Sequence, residues 1–121
     1  MSKAKHHFLK MDGKETFKNA IQAMTGAAKR ALESSKVSLS EIKWIIPHQA
    51  NQRILTAVAE KTGAEPSQLF MNVDRFGNTS AASIGIALNE LENNNALDPG
   101  DKILLLAFGA GLTWAAMVVE W

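Results

Sequence analysis

The reading of the fold turns on Lys43-Trp44-Ile45-Ile46-Pro47-His48-Gln49. Its bulky and β-branched residues run without polar alternation, as in a strand covered on both faces, and Pro47 ends the ladder. Downstream, 49–62 spaces apolar residues as a helix does, with Ile54, Leu55, Val58 and Ala59 inward and Gly63 as C-terminal cap. Upstream, Phe17, Ala20, Ile21, Met24, Ala27, Ala28, Ala31 and Leu32 form one alanine-rich stripe, which predicts a long helix lying close to what it covers. A polar connection, 34–40, joins that helix to the strand.

Further out, 6–11 reads as a short strand ended by the turn pair Asp12-Gly13, and 69–73 as another strand. Residues 74–80 form a turn into a third helix over 80–93. That helix offers no polar face over 81–88, so it is buried all round or pairs with something else. Asp98-Pro99-Gly100-Asp101 is a strong turn, 103–108 an apolar strand, and Gly109-Ala110-Gly111 reverses the chain into a last strand over 112–121. Strands alternating with helices predict an α/β fold: a mixed five-stranded sheet, its last strand antiparallel, with helices on both faces.

The whole chain is 121 residues with 46% hydrophobic and 21% charged residues, an ordinary composition for a single globular domain. Residues 1–5 read as a tail outside that domain. Thirteen Lys and Arg against twelve Asp and Glu leave a net charge of +1, which argues for neither nucleic acid nor membrane as partner. The charge is uneven, because seven basic residues precede Ala31 against two acidic ones. Such a run is ordinarily a solvated surface, and the sharper reading is a docking face for an acidic partner. There is no cysteine, so this chain carries no disulfide, thiolate zinc site or thiol nucleophile. No apolar run reaches membrane length, and the first residues lack the apolar core of a secretory signal, so a cytoplasmic protein is expected.

Few residues are placed for chemistry. His6 and His7 are neighbours on a strand, point to opposite faces and cannot share a metal; no metal site is expected. His48 follows the buried strand, at the carboxyl end where open α/β sheets place their sites. Asn78 and the Gly109-Ala110-Gly111 loop occupy equivalent places after later strands. Each also has a plain structural reading: a hydrogen-bonded histidine, a helix-capping asparagine and a tight reversal. The residues alone define a candidate donor site without a reaction.

Three ordered segments carry a resemblance. Pro47-His48-Gln49-Ala50-Asn51-Gln52-Arg53-Ile54, Phe76-Gly77-Asn78-Thr79-Ser80-Ala81-Ala82-Ser83 and Ala107-Phe108-Gly109-Ala110-Gly111-Leu112-Thr113-Trp114 closely resemble the C-terminal half of β-ketoacyl-acyl carrier protein synthase III. The 30-residue step from His48 to Asn78 matches as well. This family condenses acyl-CoA with malonyl-acyl carrier protein at the start of bacterial fatty-acid synthesis, using no cofactor. The resemblance implies one thiolase-like half, with the chain about half of a complete enzyme. It implies that His48 and Asn78 stabilise the enolate and that Gly109, Ala110 and Gly111 form an oxyanion loop. Asn51 and Phe108 would line the pantetheine path, and Arg53, Lys18 and Lys61 would dock the acidic acyl carrier protein. Glu60 departs from a second lysine found in some members, and Gly85 from a frequent proline. The nucleophilic cysteine would belong to a missing N-terminal half, and the chain alone would be inactive. With that half absent, the helix at 81–88 would expose an apolar patch and drive self-association, with a homodimer expected. Two other readings stand beside this one: a cysteine-less malonyl-thioester decarboxylase, and a non-catalytic module that binds acyl carrier protein.

Overall fold

Asp12 starts the first helix by accepting hydrogen bonds from the backbone N–H groups of Lys14 and Glu15, at 3.1 and 3.0 Å, which satisfies two otherwise orphaned donors. The structure is a computed structural model and describes residues 12–121. The helix, α1 (Gly13–Ser35), ends where Lys36 turns left-handed at φ 57°. Its buried residues Ala20, Met24, Ala27 and Ala28 fall on the stripe read from the sequence. Small side chains there bring the helix axis close to the sheet.

The remaining α-helices and strands are β1 (Ile42–Pro47), α2 (Gln52–Thr62), the single turn α3 (Val73–Phe76), α4 (Ala82–Asn93), β2 (Lys102–Gly109) and β3 (Thr113–Glu120), with short 3-10 turns at Leu39–Glu41 and Pro66–Gln68. The sheet order is β1-β2-β3. β1 runs parallel to β2, with Ile45 opposite Leu104, and β2 runs antiparallel to β3, with Leu104 opposite Val118.

Two apolar clusters sandwich the sheet. On one face Met24 and Ala28 of α1 and Val58 of α2 meet Ile45, Leu104 and Leu106. On the other, Ala87 and Leu91 of α4 meet Ile46, Leu97 and Ile103, with Trp44 and Phe70 edge to face at 5.9 Å. Fully burying a side chain of the Ile or Leu class is worth about 1.5–3 kcal/mol, so these layers hold the strand ends in place. The second face is only partly covered. Ser83, Ala87 and Leu91 turn inward, while Ala81, Ala82 and Gly85 of the same helical segment stay exposed, as does Met117 of β3 at 60%.

Among the described residues the sheet has three strands where the sequence predicts five. The proposed strand at 6–11 lies outside the described residues. The one at 69–73 shrinks to a lone parallel bridge, Ile45 to Leu69, with Phe70 N–H donating to Ile45 O at 3.0 Å. The ladder stops there because the next free backbone donor, Asn72 N–H, is taken by the Gln49 side chain at 2.9 Å. The chain then turns into α3 where the sequence predicts an open turn. Several boundaries also shift by one to three residues: α2 starts at Gln52 rather than at 49, α4 at Ala82 rather than at 80, β2 covers Lys102–Gly109 rather than 103–108, and β3 covers Thr113–Glu120 rather than 112–121.

Candidate active site

His48 leaves the end of β1 with its backbone N–H donating to Leu106 O at 2.7 Å, so the main chain stays on β2 for one residue past the strand. Its side chain turns toward α4, where Nδ1 lies 2.7 Å from the Ser83 hydroxyl oxygen. The ring is half-buried, and burial pushes its pKa below the ordinary histidine value of 6.5. At neutral pH the imidazole is therefore uncharged, able to donate one N–H and accept at the other nitrogen.

The support beneath His48 is dense. Gln49 is 1% exposed and uses its whole carboxamide: Nε2 donates to Pro47 O at 2.8 Å and Phe70 O at 3.3 Å, and Oε1 accepts from Asn72 N–H. The Gln49 backbone N–H donates to the Ser83 hydroxyl oxygen at 3.3 Å. Asn72, also 1% exposed, passes the connection on through Nδ2 to Glu90 Oε2 at 3.0 Å, and Glu90 is further held by the Arg75 guanidinium. The Arg75 hydrogen bond, and after it the Asn72 one, keeps the Glu90 carboxyl below its usual range. A path of side chains thus ties the end of β1 to both turns of chain that precede and build α4.

Asn78 sits differently. It is exposed, in the loop between α3 and α4, and its Oδ1 accepts from the Ser80 N–H at 2.9 Å. This is a local Asx turn and not a cap on α4, whose N-cap position is Ala81. The bond fixes the carboxamide so that its NH2 group is the part left to donate outward. Gly77 shapes the loop with φ 68° and ψ −163°, a conformation essentially limited to glycine. Asn78 belongs to the loop leading into α4, whose first turn carries Ser83 to His48, and no hydrogen bond joins Asn78 and His48 among the described residues.

Of the glycine loop, Gly109 is the last residue of β2 and pairs with Thr113, while Ala110 and Gly111 form the exposed reversal. Gly111 has φ 145°, and a Cβ there would come within 3.2 Å of the Thr113 backbone nitrogen, so the reversal needs glycine. Phe108 faces α1 rather than α4. It lines a groove of about 300 Å³ with Asn19, Gln22 and Ala23 of α1 and with Leu112 and Trp114. Asn51 is the N-cap of α2, its Oδ1 accepting from Arg53 N–H at 2.9 Å, with its amide nitrogen exposed. Arg53 is exposed and lays its guanidinium over the Phe17 ring at 5.7 Å, beside exposed Lys18 on α1. Lys61 lies at the other end of α2, two turns on and about 12 Å along the axis.

Reasoning from sequence did not single out Ser83, Gln49 or Asn72. The available signal for Ser83 was one hydroxyl in an otherwise apolar helix. No group of three metal-ligating side chains stands together among the described residues. Nor is any described helix long and apolar enough to cross a membrane.

Comparison with known proteins bears on this arrangement. Residues 32–121 match the family described as 3-oxoacyl-[acyl-carrier-protein (ACP)] synthase III C terminal. A β-ketoacyl-[acyl-carrier-protein] synthase III of Clostridium tetani is 47% identical over 114 residues, covering 94% of this chain and 34% of its own length. The crystal structure of the Thermus thermophilus synthase III superposes with a TM-score of 0.89 at 45% identity, over 93% of this chain and 35% of that one. The 3-oxoacyl-[acyl-carrier-protein] synthase III of Aquifex aeolicus gives a TM-score of 0.93 at 41% identity, over 98% and 38%. The fold is thus thiolase-like. The chain spans about a third of the length of these relatives, with 34% for the Clostridium protein, and not the half that the resemblance implied.

Proposed function

This chain belongs to the 3-oxoacyl-[acyl-carrier-protein] synthase III C-terminal family, and from that premise we propose that it supplies the enolate-stabilising donors of a decarboxylative condensing enzyme. The observation that carries the reading is the half-buried His48 at the end of β1, its Nδ1 held 2.7 Å from the Ser83 hydroxyl oxygen and its pKa pushed down by burial. In the proposed reaction the carboxylate of a malonyl thioester leaves as CO2. The electron pair of the broken C–C bond moves into the thioester, placing negative charge on its oxygen. An imidazole N–H from His48 and an amide N–H from Asn78 meet that oxygen. Both are weak acids, so they hydrogen-bond the oxygen without giving up the proton that would quench the carbanion.

The enolate carbon then attacks an acyl thioester on a cysteine, the new C–C bond forms, and the thiolate leaves to give 3-oxoacyl-acyl carrier protein. A backbone N–H of the Gly109, Ala110 and Gly111 loop serves the oxyanion of that second step. Asn51 and Phe108 border the path of the pantetheine arm, and acyl-CoA and malonyl-acyl carrier protein are substrates, with no cofactor. Arg53, Lys18 and Lys61 receive the acidic carrier protein. The reaction is cytoplasmic. With no cysteine in its 121 residues, this chain works only beside a part that brings the nucleophile. That part packs on the exposed side of α4 at Ala81, Ala82 and Gly85; without it a second copy takes the same face.

The test supplies acetyl-CoA and malonyl-acyl carrier protein to the chain, alone and with the cysteine-bearing remainder of a synthase III. Product is expected only from the combination, and His48→Ala there is expected to lower turnover about 100- to 1,000-fold. Condensation by the chain alone, or an unaffected His48→Ala combination, overturns the proposal.

A further inference from the structure

We infer that the Ser83 hydroxyl is a positioning group that locks His48 with its proton on Nε2. The inference rests on the reading of His48 as the donor of the site, and its argument is a count of hydrogens. A hydroxyl has one hydrogen to give and two lone pairs to receive. Ser83 is 2% exposed, so its hydrogen needs a protein acceptor. The Gln49 backbone N–H can only donate, and at 3.3 Å it occupies a lone pair of Ser83 Oγ. The other partner of Oγ among the described residues is His48 Nδ1, at 2.7 Å.

If Nδ1 carried the proton, Ser83 would receive two N–H groups while its own hydrogen pointed into a buried, apolar helix contact. If Nδ1 is bare, every group is matched: Gln49 N–H to Ser83 Oγ, Ser83 O–H to His48 Nδ1, and the ring proton on Nε2, away from α4. The polarity of this short relay is fixed at its far end, because a peptide N–H has no alternative role. The tautomer is thus set by the backbone after β1, read through one side chain of α4. Ser83 lies in the first turn of α4, where the helix is seated against Ile46 and Ile103, so the hydroxyl has a fixed place.

The experiment is a long-range 1H–15N correlation spectrum of this chain with labelled histidine, the His48 signals being identified by their loss in His48→Gln. A single tautomer is expected, with Nδ1 resonating as a bare, hydrogen-bonded nitrogen and Nε2 as a protonated one. In Ser83→Ala the two nitrogens should move toward each other, as in a free imidazole mixture, and Ser83→Thr should restore the separation. A protonated Nδ1 in the unaltered chain overturns the inference whether or not the variants fold. So does a Ser83→Ala chain with a native-like amide spectrum and an unchanged tautomer. The functional reading fails separately: an Nε2–H tautomer together with a His48→Ala combination that condenses normally would sink that reading and leave this one standing.

Discussion

The strand end that carries His48 is roofed by α4 and held through Gln49, Ser83 and Asn72, whereas Asn78 lies exposed in a loop steadied by one bond to Ser80. What orders these two side chains differs. His48 is ordered by this chain's own buried polar network. Asn78 has its amide oriented by a turn two residues long, and the loop around it has little packed against it. A side chain of the first kind is held in place by the fold itself, and one of the second kind is held only by its own turn.

The contrast can be broken by mutation. Gln49→Ala should have the largest effect, about 2–3 kcal/mol of stability in denaturant unfolding, because it strands the buried Asn72 N–H and removes two further hydrogen bonds. If it is neutral, the network under His48 is not what holds the strand end.

Acid should have a smaller effect. Burial lowers the His48 pKa in the fold, so the unfolded chain takes up a proton first as pH falls through 6.5. The unfolded state then binds more protons, and stability declines with acid across the window below 6.5. The Glu90 carboxyl, depressed in the fold, extends the decline below its usual value of 4.5. In His48→Gln the first part of this decline should vanish from unfolding midpoints measured against pH; if it persists, the histidine is not the group responsible.

Asn78→Ala should have the smallest effect on stability, within about 0.5 kcal/mol, since an exposed loop bond is all that it loses. A loss as large as that of Gln49→Ala would abolish the distinction between the two donors.

Much of the fold was legible from periodicity. The α1 stripe, the β1 run and the closing β2–β3 hairpin each repeat a local pattern long enough to identify an element. The stretch at 69–73 misled because an apolar run is silent about what its backbone will pair with, and a side chain from 23 residues earlier claims Asn72 N–H. The same limit hid Ser83: a small residue in an apolar helix reads as filler until the helix is docked on the sheet. His48 was legible as a candidate from its place after β1, and Asn78 from an expected strand at 69–73 that the structure reduces to a bridge followed by α3. Their chemistry came from resemblance, because position at a strand end says where a site is and nothing of which bond it breaks. The exposed side of α4 was anticipated by the absence of a polar face over 81–88, although half of that helix does find cover in this chain.

Arg53 is not a loose surface cation. Its guanidinium rests on the Phe17 ring, so the side chain has surrendered part of its rotational freedom before meeting anything. A carboxylate pairing with that guanidinium would meet a planar fork already seated on a ring, so more of the ordering cost of the pair would fall on the visitor. Lysine at position 53 would keep the charge that guides approach but lose both the plane and its aromatic seat, so its penalty would surface in how long a complex lasts and hardly in how fast it forms.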